Sequence, residues 1–126
     1  MNSTMEVGKK LVEACKKNMN LDAIASLYDK NIVSVEAIST PESPAEVRGV
    51  DQVVAKNKWW FENNEIHHTE ADGPFPNGDR FAVIFRYETT PRSGPRQGKR
   101  FRFEEVALYT VKNGKIVREE FFYDMS

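Results

Sequence analysis

The sequence predicts an α+β domain, three helices followed by an antiparallel sheet. Apolar residues recur at helical spacing as far as Phe61 and alternate in strand fashion from Ile66 onward. Asn113-Gly114 lies between two alternating segments, the favoured signal for a two-residue hairpin. The 126 residues suffice for one domain and not for two of ordinary size, so the unit is taken as residues 1–126.

Ser3 and Glu6 have the spacing of a capping box ahead of Met5, Leu11, Val12, Cys15 and Met19, which share one side of a first helix. Asn20 is a candidate cap for a short second helix with Leu21, Ile24, Leu27 and Tyr28 as its stripe. NIVSVEAI is rich in β-branched residues and reads as a strand. STPESPAEVRG reads as a loop because of Pro41 and Pro44. Val50 to Phe61 reads as a third helix, with the polar Asn57 inside its apolar stripe. IHHTEA is a further strand and DGPFPNGD a turn-rich link. RFAVIFRYETT, RFRFEEVALYTV and GKIVREEFFYD complete the strands, with PRSGPRQGK connecting the first two.

Composition removes several classes of function. Eighteen Lys plus Arg against 19 Asp plus Glu give a net charge of -1, so no strong field draws nucleic acid or an anionic membrane. The run Arg92, Arg96, Lys99, Arg100 and Arg102 is interleaved with Pro and Gly and reads as a solvated loop, with anion or RNA binding as the sharper alternative. Cys15 is the only cysteine, which excludes an intrachain disulfide and a thiolate zinc site. No apolar run approaches the roughly 18 residues of a membrane span. The opening MNSTMEVGKKLVEAC has no signal-like apolar core, so the expected location is cytoplasmic.

LDAIASLYDKNIVSVEA, the helix opening at RGVDQVV, and EVALYTVKNGKIVREEFFYD together resemble the nuclear transport factor 2-like superfamily. Within it the chain is similar to SnoaL-like and ketosteroid isomerase-like proteins. The resemblance covers nearly the whole chain and rests on fold determinants, not on a catalytic motif. It implies a cone, with three N-terminal helices packed on a strongly curved antiparallel sheet that encloses a pocket. The superfamily holds both enzymes and binding proteins, so the fold alone does not fix an activity.

A two-residue turn at Asn113-Gly114 pairs Lys112 with Lys115, and counting outward pairs Leu108 with Glu119, Val106 with Phe121 and Glu104 with Tyr123. One face then carries Glu104, Val106, Leu108, Glu119, Phe121 and Tyr123, and the other carries Glu105, Ala107, Tyr109, Arg118, Glu120 and Phe122. The resemblance implies that the first set faces the pocket; a one-residue bulge reverses part of this and brings Glu105 inward. Glu104, Glu119, His67 and Tyr123 are the candidate catalytic groups, because a carboxylate in apolar surroundings gains a raised pKa and acid–base capacity. Tyr28, Asn57, Trp60, Phe85, Tyr87, Val106 and Phe121 are the candidate binding residues. The bland alternatives are rim glutamates, a structural histidine and aromatics that serve only as core. No metal site and no cofactor are expected, since the adjacent His67 and His68 point oppositely on a strand.

The resemblance also exposes departures. The steroid isomerases' general base matches Ala37, with Glu36 beside it on the opposite face. Their oxyanion tyrosine matches Val12, their second acid matches Val106 (or Glu105 after a bulge), and a helix-three tyrosine matches Asn57. Steroid isomerisation is therefore not expected. Two function classes stand open. One is cofactor-independent acid–base catalysis on a small apolar or semi-polar molecule, of isomerase, cyclase or lyase type. The other is a non-catalytic module that binds a small molecule or another protein. A homodimer through the outer sheet face is also expected, with Ala107, Tyr109, Val111, Ile116 and Phe122 joined by Ala82 and Ile84.

Overall fold

The computed structural model describes residues 3–41 and 43–124; Glu42, inside the expected loop, lies outside them. Helices α1 (Thr4–Lys16) and α2 (Asn20–Leu27) lead into β1 (Tyr28–Val35). A short β2 (Glu46–Arg48), α3 (Val50–Asn63), β3 (Asn64–Asn77), β4 (Arg80–Pro91), β5 (Phe101–Lys112) and β6 (Lys115–Phe122) follow. The Ser3 hydroxyl accepts from the Glu6 amide at 3.1 Å, which caps α1 as its spacing implied. Asn20 is not the cap of α2. Met19 holds that position and its carbonyl already accepts from Ala23, so the helix starts one residue earlier than expected.

The sheet runs β2-β1-β6-β5-β4-β3. This overturns the expected cone. The sheet is mixed, because β6 lies parallel to β1, and it is open, with β2 and β3 as unpaired edges. It neither closes nor curls strongly around an enclosed pocket. Turn signals report on strands adjacent in sequence, whereas the β1–β6 pairing joins residues more than 80 positions apart and leaves no local mark. The expected link DGPFPNGD is also strand, continuing β3 to Asn77. Its prolines are tolerated because β3 is an edge, where a missing amide breaks no ladder on the open side.

The three helices cover one face of the sheet. Val7, Leu11, Val12 and Cys15 of α1, Ala23, Ile24 and Leu27 of α2, and Val53 of α3 pack with Phe81, Val83, Phe85, Ala107, Tyr109 and Ile116. Gly8 permits the close seating of α1 on β3, since a Cβ there would lie 2.7 Å from the Pro74 Cβ. Phe81 and Tyr109 stack at 4.9 Å in this layer. Among the described residues no helix is long and apolar enough to cross a membrane.

Asn113 and Gly114 adopt φ of 52° and 76°, as a tight hairpin turn requires, and Lys112 pairs with Lys115. The register then slips. Val111 pairs with Ile116 but Thr110 pairs with Arg118, so Val117 is an extra residue in β6. Beyond it Tyr109 opposes Glu119, Ala107 opposes Phe121 and Val106 opposes Phe122. Beyond the bulge the pairs expected from an unbroken ladder do not form, and the two β5 glutamates exchange faces relative to that expectation.

Candidate functional site

A polar seam crosses the layer between helices and sheet. Strand alternation on β1 sends Ile32, Ser34 and then Glu36 to the helix side. Ser34 pairs with Glu119 in the parallel ladder, Glu119 with Tyr109, and Tyr109 with Phe81, so these four form one row across the sheet. Above the row lies α3. Its inward stripe is Val53, Lys56, Asn57 and Trp60, at spacings of three, four and seven residues. Gly49 starts this helix with φ 92° and ties it to β1 through its amide, 2.8 Å from the Ile32 carbonyl.

The hydrogen bonds of the seam form one continuous chain. Tyr28 donates to one oxygen of Glu119, and the Ser34 hydroxyl donates to the other at 2.6 Å. Lys56 donates to Ser34 Oγ and to Glu36 Oε1, both at 2.7 Å. Tyr123 donates to Glu36 Oε2 at 3.0 Å. The Lys56 ammonium also lies 5.1 Å from the Phe121 ring centre. The chain begins in the interior, where Glu119 is 1% exposed, and ends near solvent, where the Lys56 and Glu36 side chains are 26% and 30% exposed.

Burial pushes the Glu119 carboxyl up; the Ser34 and Tyr28 hydrogen bonds and the Lys56 charge oppose that without cancelling it. The Tyr28 phenol is held far above its ordinary value by burial and by Glu119. Glu105 differs from its neighbours. It lies opposite Phe85 on the helix side of β5, and among the described residues no hydrogen bond or ion pair engages its carboxyl. Burial first, then the Glu36 and Glu119 charges, push it up to about 8, with Lys56 pulling the other way. Tyr87 and Tyr109 are both buried near it, and the phenol of each is raised by burial and by the Glu105 charge.

The expected site residues thus separate into groups. Glu119, Tyr28, Phe121 and Tyr123 meet in the seam, and Phe85 and Tyr87 border Glu105. Glu104 does not join them. It is on the outer face, 58% exposed, and accepts from Arg86 at 2.8 Å. Val106 is outward too, between Ile84 and Phe122 in the ladder. The β6 bulge accounts for the lost Glu104–Tyr123 pairing. His67 lies on β3, with Nε2 2.8 Å from Thr90 Oγ1 and Nδ1 3.6 Å from Glu65. Asn57 finds its partner in its own helix, donating to the Val53 carbonyl at 2.9 Å. Trp60 packs edge-on to Phe103 and tilted on Tyr87 at 5.3 Å.

Ser34, Glu36 and Lys56 were not anticipated. The alternation Ile32, Ser34, Glu36 was the available signal, and it contradicts the placing of Glu36 on the outer side. The basic run is largely engaged internally. Arg92 donates to the carbonyls of Phe61, Glu62 and Asn64 at the end of α3, and Arg100 and Arg102 both bind Glu88, each through Nε at 2.6 Å.

This fold and seam define a small α+β protein with an acid–base chain laid along one side of an open sheet. The SnoaL-like domain family matches residues 2–123, and the chain belongs to it. A provisionally named SnoaL-like polyketide cyclase (carbohydrate phosphatase) of Mesorhizobium loti is 38% identical, with 97% of this chain and 100% of that one covered at a TM-score of 0.88. An NTF2-like protein of Burkholderia thailandensis is 24% identical over 98% and 92% of the two chains, with a TM-score of 0.79. A SnoaL-like polyketide cyclase of Agrobacterium tumefaciens is 18% identical over 99% and 94%, with a TM-score of 0.73. The last two likenesses concern the fold alone. No curated protein matches the chain. The superfamily read from the sequence is thereby borne out.

Proposed function

We propose that the chain binds a small molecule with an apolar body and a polar end, and exchanges a proton with it through Glu105 without a cofactor. One observation carries this reading: Glu105 is the carboxyl of the seam that no hydrogen bond or ion pair engages among the described residues, while both oxygens of Glu119 and of Glu36 are taken. A group that titrates near neutrality is suited to both giving and receiving a proton. Tyr28, Ser34 and Glu119 fix Lys56 from below, and Phe85, Tyr87, Phe121 and Tyr123 supply the apolar walls. Membership in a family that includes provisionally named cyclases supports chemistry of this kind.

The test is a carboxyl-detected NMR titration of the free protein. A Glu105 midpoint near 8 is expected; one near the ordinary value of about 4.3 removes the proton-transfer reading. Native mass spectrometry of the purified protein then shows whether a small molecule is carried. A carried ligand that emerges unchanged supports the binding module instead.

The expected homodimer is retained on a corrected surface. Ala107, Tyr109, Val111 and Ile116 are core residues under the helices and offer no interface. The outer face presents Ala82, Ile84, Val106, Leu108 and Phe122, the last 51% exposed. Light scattering at micromolar concentration tests this, and a mass near 14.5 kDa excludes it. Doubly substituted Val106→Asp and Phe122→Asp protein is expected to be monomeric. A cytoplasmic location accompanies this reading.

A further inference from the structure

A second concavity lies along α1 and shares no residue with the seam. It is an open groove of about 690 Å³ between the outward face of α1 and the irregular Gly73-Pro74 step of β3. That volume is in the range of sites that hold small molecules. Lys9, Lys10, Glu13, Lys16 and Lys17 line it, and their near-heptad spacing puts all five on one face of the helix. Val12 and Pro74, both buried, lie at its base. Met19, in the turn after α1, adds a thioether side chain that is 46% exposed.

The charges of the groove are unbalanced. Four lysines against one glutamate give the lining +3, in a chain whose formal net charge is -1, so the remainder of the chain carries -4. Glu13 is engaged by Lys17 at 3.4 Å, and among the described residues Lys9, Lys10 and Lys16 have no ion-pair partner. Lys16 and Lys17 complement the dipole at the C-terminal end of α1, whereas Lys9 and Lys10 stand in mid-helix and have no such role. Met19 is an independent observation. It brings exposed apolar surface into the same groove, the lysine stems extend that surface beneath their charged heads, and a thioether moulds to what covers it.

Charge and surface together select the occupant. A cation meets like charge, and a neutral alcohol leaves the ammoniums without a counter-ion. An inorganic anion leaves the Met19 surface uncovered. A long polyanion runs off the groove onto a chain that is acidic elsewhere. A compact anion with an apolar tail answers both features. We propose that this groove binds a small anionic amphiphile of the fatty-acid class, its carboxylate among the Lys9, Lys10 and Lys16 ammoniums and its chain along Met19. The lysines are exposed, so salt screens the pairing.

The experiment is titration of the intact protein with octanoate, octanol and octylammonium at pH 7, followed through backbone amide NMR shifts. Octanoate is expected to shift the amides of residues 9–19 and of Gly73, and octylammonium to leave them in place. Octanoate is expected to bind about tenfold more tightly than octanol, and to lose about threefold in affinity when salt is raised from about 0.05 M to about 0.5 M. Lys9→Glu with Lys10→Glu is expected to weaken octanoate about tenfold. Both side chains are exposed, and unchanged amide shifts in the sheet verify that this variant folds. Lys9→Arg with Lys10→Arg keeps the charge and is expected to keep the affinity within about threefold. Met19→Ser is expected to weaken octanoate about threefold. Equal binding of octanoate and octanol, shifts confined to other surfaces, or octanoate binding that survives the charge reversal overturns the proposal. Binding to phosphatidylglycerol vesicles without binding of octanoate also overturns it, and makes the face a membrane contact instead.

Discussion

Glu104 and Glu105 are neighbours in the chain and opposites in environment. Glu104 stands on the outer face of β5, beside Arg86, which also binds Asp72, and water reaches all three. Glu105 stands on the inner face opposite Phe85, feels the Glu36 and Glu119 charges, and has no ion-pair partner among the described residues. A shift of one residue along a strand thus separates a screened surface ion pair from a group whose charge the protein resists. The chemistry of a carboxyl here is set by the face it occupies.

Removing charge from each face should reveal the contrast. Lys56→Met deletes the ammonium that pairs with Glu36 and donates to Ser34, and leaves Glu36 without its counter-charge. A loss of about 3 kcal/mol in urea unfolding at pH 7 is expected, the low end for breaking a buried pair, since both partners are partly exposed. Tyr28→Phe removes one of the two donors to the buried Glu119 and should cost about 2 kcal/mol, with Glu119 titrating higher still.

Glu105→Gln should act through pH. The native carboxyl keeps its proton up to about 8, whereas the unfolded one loses it near 4.5. Between these values the native state binds one proton more, so stability falls as pH rises, by about 1.4 kcal/mol per pH unit from this group. The Gln variant should lack that part of the decline, which unfolding curves at pH 5, 6, 7 and 8 would show. Glu104→Gln should change stability by less than about 0.5 kcal/mol at any of these values. Equal effects of the Glu104 and Glu105 substitutions would erase the distinction between the faces.

Much of the architecture was legible before any coordinates. The Ser3 cap, the helical stripe of Val53 and Trp60, and the turn at Asn113-Gly114 are each written in local spacing, and each appears where spacing put it. The bulge at Val117 was not legible. KIVREEFF carries apolar and charged residues at both parities, so either register buries something plausible, and only the packed layer selects one. The same ambiguity misplaced Glu104, Val106 and the interface residues. Lys56 escaped notice for another reason. A lysine in a helical stripe reads as surface, and its burial is justified only by Glu36 and Ser34, which lie some 20 residues back on a different element. Glu119 and Tyr123 were singled out as polar groups in apolar surroundings, and the structure puts both in the seam.

The parallel pairing of β1 with β6 also bears on how the chain comes together in time. During synthesis β1 emerges early, yet the strand that completes its inner side is the last of the six in chain order. Until that strand arrives, β1 with β2 and the meander of β3, β4 and β5 are two separate pieces of sheet. Joining them closes a loop of more than 80 residues, a slow, non-local event. Glu119 rides on the joining strand and Ser34 waits on β1, so the fold and the seam are finished by the same docking step.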